Sequence, residues 1–409
     1  PTPPPPPPPP PPSYPPRRSS DLELEVRADQ ERTEREVRLD RRARRRLWAA
    51  VMAVIVIVGL VGGFVVVTVL SDTTRIAVVT SSQEDALGAL LMRGAEQAAA
   101  DLPVEIMDVN PPITDLSREY RRLAAAGVEL IIVPAGLDLG ELYTAAADMP
   151  DVTFVTVMAV ETSESPNVVA VQFADEQAGF LAGVAAAAET KTGVVGFVGG
   201  AAVPDVELRR AGFEAGVASV DSSVTVLARH VDASGDMDRA FSRADLGKAA
   251  ATDLFDRGAD VVYHAAGRSG LGVFQAAREQ TEDTLTKHWG IGSDSDQILE
   301  VGTLEQDYVL MSVLRKFDVV ANDVVRDFVD GELEAGTVRY TFADGGLGYS
   351  TRGDHLSELA DTRVAQAEAT IIDGTVEILS YPVGDVLPPL EAREPVGTLE
   401  VRYDGSECS

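Results

Sequence analysis

From residue 75 to about residue 330, short β-branched runs alternate with alanine-rich stretches of helical periodicity, and this alternation restricts the fold more than any other feature of the chain. The spacing predicts strands over 75–80, 104–109, 130–134, 153–157, 168–171, 194–198, 224–230, 261–264 and 289–292. Between them it predicts helices over 84–100, 114–126, 140–147, 176–190, 206–217, 245–257, 270–280 and 312–329. Strand–helix–strand alternation at this interval means parallel strands whose crossover helices cover both faces of a sheet. Two sheets are expected rather than one of about ten strands. The second series of strands begins after Phe173-Ala174-Asp175. The class is α/β, and no internal sequence repeat is evident.

What precedes this region is of a different kind. Residues 48–70 hold no charged side chain and only one strongly polar one, Thr68. As a helix this segment would be roughly 34 Å long, enough to cross a bilayer core. A cleaved signal peptide would have a shorter apolar run ending in a small-x-small site, whereas Thr68-Val69-Leu70 is a poor one. No cysteine follows to accept a lipid. An uncleaved transmembrane helix over 47–70 is therefore expected. Arg41, Arg42, Arg44, Arg45 and Arg46 stand before it and Asp72 after it. The positive-inside rule then places the N-terminus in the cytoplasm and the large C-terminal domain outside the cell membrane. Residues 1–46 begin with an unbroken proline run from Pro3 to Pro12, which adopts polyproline II and cannot pack a core. This run either docks an aromatic groove on a cytoplasmic partner or hangs as a disordered tail. The charged stretch after it, with Glu31/Arg35 and Glu34/Arg38 four apart, suits a solvated helix. At the other end, residues 387–409 are acidic and proline-rich, and add either an edge strand near 397–403 or nothing to the fold.

The charge is distributed as unevenly as the hydropathy. The whole chain carries a net charge of -30. Residues 1–46 hold 11 arginines against 8 acidic residues, so everything after them carries a net −33. A domain so acidic does not bind nucleic acid by neutralising phosphates. It repels anionic solutes at long range, so a neutral or cationic small ligand suits it better. Acidity that serves only solubility is the competing explanation. The single cysteine, Cys408, excludes an intrachain disulfide and a thiolate metal site.

Catalytic signatures are missing. His230, His264, His288 and His355 stand at no metal-ligand spacing. There is no Gly-x-Ser-x-Gly elbow and no phosphate loop ending in Gly-Lys-Ser/Thr. Asp294-Ser295-Asp296 lacks the glycine and glutamate of a calcium loop. No nucleophile–base pair, metal or cofactor is indicated, so a binding protein is expected rather than an enzyme. In open parallel sheets ligands bind beyond the carboxyl ends of the strands. One such end runs into Ala265-Ala266-Gly267-Arg268-Ser269-Gly270, a small-residue turn that lets a ligand approach backbone N–H groups at a helix start. Another runs into Ser293-Asp294-Ser295-Asp296-Gln297, where a carboxylate can accept hydroxyl hydrogens from a sugar or polyol. Equally, Asp294 or Asp296 can cap the helix that follows.

Several stretches carry a family resemblance. They are Phe173-Ala174-Asp175-Glu176-Gln177-Ala178-Gly179-Phe180-Leu181-Ala182-Gly183, Thr190 through Gly200 (TKTGVVGFVGG), and Arg210-Ala211-Gly212-Phe213-Glu214-Ala215-Gly216. Gly267 to Gly272, Gly292-Ser293-Asp294-Ser295-Asp296-Gln297 and Ser312-Val313-Leu314-Arg315 follow in order. Each is weak alone; six in order are a strong signal. From about residue 75 to 378 the chain resembles the basic membrane protein family, the purine-nucleoside receptor type of ABC-transporter binding protein. The resemblance implies a type I periplasmic-binding-protein fold, two doubly wound parallel-sheet lobes joined by a hinge. It implies one lobe of 73–173 plus 298–335, another of 174–297, and a segment 336–386 that completes the domain. It implies a nucleoside-like or otherwise hydroxylated small-molecule ligand, and an ABC permease in the membrane as partner.

Carried over by position, Phe241 matches the aromatic that stacks on the purine, Gly267 a backbone contact and Asp294 the ribose-binding carboxylate. Arg315 stands where the family usually has lysine, which keeps a cation but not its shape. The first lobe departs from the pattern. The family's Asp-Lys-Ser-Phe-Asn run, aligned on Gly94, reads Glu84-Asp85-Ala86-Leu87-Gly88, so Leu87 replaces a stacking ring. Met158 replaces an aspartate after the strand at 153–157. An importer's binding protein is one reading, and a membrane-anchored sensor using the same fold as its ectodomain is the other; the cytoplasmic tail is what raises the second.

Overall fold

Nine of the expected strands form, and the chain then adds strands that the hydropathy pattern concealed. The computed structural model describes residues 73–80, 86–111, 115–134, 139–158, 165–378 and 402–403. The expected cytoplasmic tail, the transmembrane segment, Glu84, Asp85 and Cys408 lie outside these. Among the described residues no helix is long and apolar enough to cross a membrane.

The first sheet contains β1 (Thr74–Val79), β2 (Val104–Val109), β3 (Val128–Pro134), β4 (Thr153–Val157) and β5 (Val168–Phe173). Its order is β11-β5-β4-β3-β1-β2, where β11 is Gly336–Tyr340, and every pairing is parallel. The second contains β6 (Val194–Gly199), β7 (Thr225–His230), β8 (Val261–Ala265), β9 (Trp289–Asp294) and β10 (Val309–Arg315). Its order is β12-β10-β9-β8-β6-β7, with β12 (Leu347–Ser350) antiparallel at the edge. The two orders are the same pattern twice. Each lobe is a doubly wound sheet, as the alternation predicts. Central strands read as nearly continuous buried runs because both faces are covered, as in Val128–Pro134.

The helices follow their strands: α1 (Ala86–Ala99), α2 (Leu116–Ala125) and α3 (Leu139–Asp148) in the first lobe, then α4 (Asp175–Glu189), α5 (Pro204–Val220), the short α6 (Met237–Phe241), α7 (Ala244–Asp256) and α8 (Leu271–Thr284) in the second. After β10 come α9 (Phe317–Asp330), packed on α1, and α10 (Glu358–Ile372), packed on α4. The described end of the chain pairs Val376–Glu377 with Arg402–Tyr403.

The lobe boundaries differ from those expected. Residues 309–315 are a strand of the second sheet, so the chain re-enters the first lobe at Phe317 rather than at 298. The expected helix over 312–329 begins at Phe317 instead. A strand buried on both faces has no period-two signature, and Val309–Arg315 merges by hydropathy with the helix behind it. The segment expected over 336–386 is also shared: β11 joins the first sheet, while β12 joins the second.

The chain therefore crosses between lobes three times, at 173–175, 315–317 and 340–347, and the crossings are tied together. Phe173, Phe317 and Tyr340, one from each, form an aromatic cluster with centroid separations of 5.4 and 6.2 Å. The Ala174 N–H donates to the Tyr340 carbonyl and the Lys316 N–H to that of Gly346, both at 2.8 Å. Consecutive acids on the first crossing take a guanidinium from each of the others. Asp175 binds Arg315 at 2.6 Å, and Glu176 binds Arg339 at 2.5 Å. A single apolar cluster runs from Ile76 and Val78 in the first sheet through α4 to Val195 and Tyr263 in the second.

The glycines of the family-like stretches explain the closest helix crossing. Gly179 and Gly183 on α4, and Gly212 and Gly216 on α5, lie four residues apart and so on one face of each helix. A Cβ on Gly212 would stand 2.1 Å from the Glu176 carbonyl oxygen, and one on Gly179 would stand 2.0 Å from that of Arg209. The two backbones are in contact, which favours Cα–H···O=C approach. In an unhindered helix, Gly→Ala stabilises by about 1 kcal/mol. Here Gly212→Ala is expected to destabilise by about 1–3 kcal/mol, since one helix must move. The sign of the shift in urea midpoint checks this.

Candidate functional site

The carboxyl ends of the second sheet gather the polar groups that sequence alone scatters. Asp294 ends β9 in the left-handed region, at φ 71. A non-glycine residue there is uncommon and marks a site where surroundings override local preference. Its Oδ1 accepts from Arg209 Nη2 at 2.5 Å and lies 3.4 Å from Arg315 Nη1. Its Oδ2 accepts from Ser293 Oγ at 3.3 Å. Burial pushes the Asp294 carboxyl up, but the Arg209 and Arg315 guanidiniums outweigh this and hold it down at about 2.

The arginines have a second shared partner. Asp175 Oδ1 accepts from Arg209 Nε at 3.0 Å and from Arg315 Nε and Nη2 at 3.1 and 2.6 Å. Asp205 adds a looser contact to Arg315 at 3.4 Å. Arg209, Arg315 and Asp175 expose only 4%, 3% and 5% of their side chains, whereas Asp294 and Asp205 each expose 30%. The network is thus buried at its centre and open at two carboxylates. Tyr263 lies within electrostatic reach of it; burial pushes its phenol up to about 12, and among the described residues its hydroxyl has no hydrogen-bond partner.

His264 on β8 is fully buried. Gln297 fixes its tautomer. The Gln297 amide nitrogen donates to the Ser293 carbonyl at 3.1 Å, so Oε1 faces His264 Nε2 at 2.6 Å and Nε2 carries the proton. Nδ1 has no hydrogen-bond partner among the described residues. It lies against Gly270, where a Cβ would come within 2.0 Å of it. Burial pushes the imidazole down to about 4, with the Gln297 contact opposing.

Beside this network lies an apolar ledge. Phe241 ends α6, and its ring covers the backbone of Gly200, where any Cβ would meet ring carbons at 2.3–2.7 Å. Gly267 opens the turn after β8 at φ 51, and a Cβ there would meet Phe241 at 3.2–3.6 Å. The structure therefore brings together two pairs of the sequence-predicted residues, Phe241 with Gly267 and Asp294 with Arg315, on adjacent strand ends. Leu87 and Met158 belong to the first lobe, half-buried against the apolar cluster. Met158 follows β4 at φ 66, the place in the first lobe that Asp294 has in the second.

The helix-capping alternative for Asp294 is not realised. Asp296 occupies the cap position of the short helix at Gln297–Leu299 without a side-chain cap bond, and accepts from Arg352 Nε at 2.6 Å. The other histidines have structural contacts. His230 meets Glu207 at 2.9 Å, and Nδ1 of His288 and His355 donate to the Thr286 and Val309 carbonyls at 2.8 Å. Asp175, Arg209 and Asp205 were not singled out by sequence. Asp175 lies within a recognised stretch, but nothing local says that its partners are 34 and 140 residues away.

Comparison with known proteins follows the same lines. The profile of the family described as ABC transporter substrate-binding protein, PnrA-like, matches residues 100–380. The ABC transporter nucleoside-binding protein BmpA of Lactococcus lactis subsp. cremoris is 32% identical over 276 residues, which are 65% of this chain and 76% of that protein. The CD4+ T-cell-stimulating antigen of Listeria monocytogenes is 30% identical over 223 residues, 53% of this chain and 60% of that protein. The chain thus spans about three-quarters of the first relative and three-fifths of the second. Among solved structures, a solute-binding protein of an ABC transporter system from Aeropyrum pernix K1 superposes with TM-score 0.60 at 19% identity, over 76% of this chain and 94% of that one. Its counterpart from Conexibacter woesei gives 0.58 at 20% identity, over 75% and 99%. These two likenesses concern the fold.

Proposed function

The chain belongs to the PnrA-like family of ABC transporter substrate-binding proteins, and from that premise we propose that it is a membrane-anchored receptor that captures a small hydroxylated, nucleoside-like solute between its lobes and delivers it to an ABC permease. One observation carries the reading. A ring laid over glycine backbone, Phe241 on Gly200 and Gly267, stands over the ends of β6 and β8, and β9, paired to β8, ends in an ionised, partly open carboxylate, Asp294. The first gives a flat apolar surface for a base; the second accepts hydroxyl hydrogens. Asp294→Ala is expected to weaken such a solute by about 1.5–3 kcal/mol, the worth of a hydrogen bond to a charged group. An unchanged affinity would place the solute elsewhere.

The first lobe restrains the affinity. Leu87 in place of a ring forgoes about 1 kcal/mol of oriented stacking. Met158 in place of a carboxylate leaves a buried ligand polar atom unpaired, at about 1–3 kcal/mol. Inosine and adenosine are accordingly expected to bind no tighter than micromolar, gripped mainly by the second lobe.

Anchoring and orientation rest on the sequence, through the apolar segment 48–70 and the arginines before it. In intact cells an impermeant thiol reagent is expected to label Cys408 and to leave a Ser13→Cys variant of a Cys408→Ser chain unlabelled. Labelling at position 13 with Cys408 protected reverses the orientation.

A further inference from the structure

Asp294 does not offer a ligand a symmetrical carboxylate. Both guanidiniums approach the same oxygen: Oδ1 has Arg209 Nη2 at 2.5 Å and Arg315 Nη1 at 3.4 Å. Among the described residues the other oxygen accepts only from the Ser293 hydroxyl, at 3.3 Å. Arg209 is itself fixed from behind, since its Nε donates to Asp175 Oδ1 at 3.0 Å. Asp175 is the first residue of α4, immediately after the chain leaves the first lobe, and its place is set by the crossing. Arg209 extends from α5, which touches α4 backbone to backbone through Gly179 and Gly212. Both ends of the Asp175–Arg209 pair are therefore mounted on one rigid helix pair, and the pair is oriented towards the end of β9. A planar guanidinium held through Nε at one side and Nη2 at the other has no rotational freedom left.

We infer that Arg209, held by Asp175, is the positioning residue of the binding site, fixing Asp294 through Oδ1 so that Oδ2 alone meets the hydroxyl of a bound solute. The inference deepens the reading of Asp294 as the hydroxyl acceptor and rests on it. The positive φ of Asp294 belongs to the strand end, since Met158 adopts φ 66 at the matching end of β4; what the ion pair adds is the orientation of the carboxylate. It also gives the two arginines a role distinct from anion binding. Each is buried and already paired with Asp175 and Asp294, and Arg315 meets Asp205 as well. Neither presents a free fork to a phosphate.

The charged and titratable groups around Asp294 are Asp175 from α4, Asp205 and Arg209 from α5, Tyr263 and His264 from β8, and Arg315 from β10. Of these, Arg209 makes the shortest contact to it. A residue that merely filled space would not alter when Asp294 takes up its proton, and this separates the two roles. The experiment is an infrared titration of the detergent-solubilised full chain carrying carboxyl-labelled aspartate, with the Asp294 band assigned by its loss in Asp294→Asn. No solute is added, so its outcome is independent of whether a nucleoside binds. In the native chain the Asp294 band is expected to stay ionised down to at least about pH 3, and in Arg209→Met to protonate about two pH units higher than in the native chain. Arg209→Lys, which keeps the charge and the fold but not the fork, is expected to raise the midpoint by about one unit. Arg229→Met, which removes an exposed arginine paired to Asp253, is expected to leave it where it is. If the midpoint is the same in Arg209→Lys as in the native chain, Arg209 is not what holds Asp294 and the inference is overturned, whether or not Arg209→Met folds.

Discussion

Replacing Asp175 by alanine is expected to destabilise the domain by about 3–5 kcal/mol, the cost of depriving two buried guanidiniums of the buried carboxylate they share. Two guanidiniums share Asp175, through contacts of 2.6 to 3.1 Å, and neither exposes more than 4% of its side chain. Water cannot replace the missing carboxylate without opening the junction of all three crossings. The control is an ion pair of similar length on the surface. Arg229 and Asp253 meet at 2.7 Å but expose 51% and 39% of their side chains. Asp253→Ala is expected to cost no more than about 1 kcal/mol. Urea unfolding of the two variants checks the contrast, and equal midpoints would mean that the buried network is solvated in solution.

Acid is expected to weaken the fold well above the range in which its carboxylates protonate, because of His264. Buried and unable to hydrate a charge, this imidazole stays neutral down to about pH 4, against an ordinary value of 6.5. In the unfolded chain it takes its proton near 6.5. Between those values the unfolded state binds more protons than the folded one, so stability rises with pH. His264's contribution is complete above about pH 6.5 and is lost as the pH falls to about 4, a change on the order of 3 kcal/mol. Glu176 acts in the opposite sense, since burial raises its carboxyl despite Arg339 beside it, and Asp294 acts lower, as its carboxyl is held at about 2. Both are common to the native chain and a His264→Gln variant. The difference between their stability–pH curves therefore isolates the histidine. Curves that run parallel from pH 7 to pH 4 would show that the imidazole is hydrated.

Much of the fold was legible because doubly wound architecture writes itself locally. β-branched runs such as 104–109 and 153–157, separated by alanine-rich helical stretches, state the class and nearly every boundary in the first nine strands. What escaped was where local signals merge. Residues 309–315 are buried on both faces and lead almost directly into α9, so strand and helix read as one. The glycines at 179, 183, 212 and 216 were conspicuous as part of a resemblance, yet their reason, two backbones in contact, exists only once α4 and α5 cross. The site divided in the same way. Asp294 and Gly267 were visible as strand ends, because ligands of parallel sheets gather there. Arg209 and Asp175 were not, since their contacts span 34 and 85 residues and depend on how two helices are mounted.

The proposed role of Asp294 is to accept a hydroxyl hydrogen from a solute held mainly by the second lobe. Calorimetric titration of a panel of ribonucleosides into the native chain and into Asp294→Ala tests this most directly. The account predicts that at least one ribonucleoside binds with Kd in the micromolar range or weaker, and that Asp294→Ala lowers its affinity by about 10- to 150-fold. Sub-micromolar binding of inosine or adenosine would contradict it, as would an affinity unchanged in Asp294→Ala or a panel in which nothing binds at millimolar concentration.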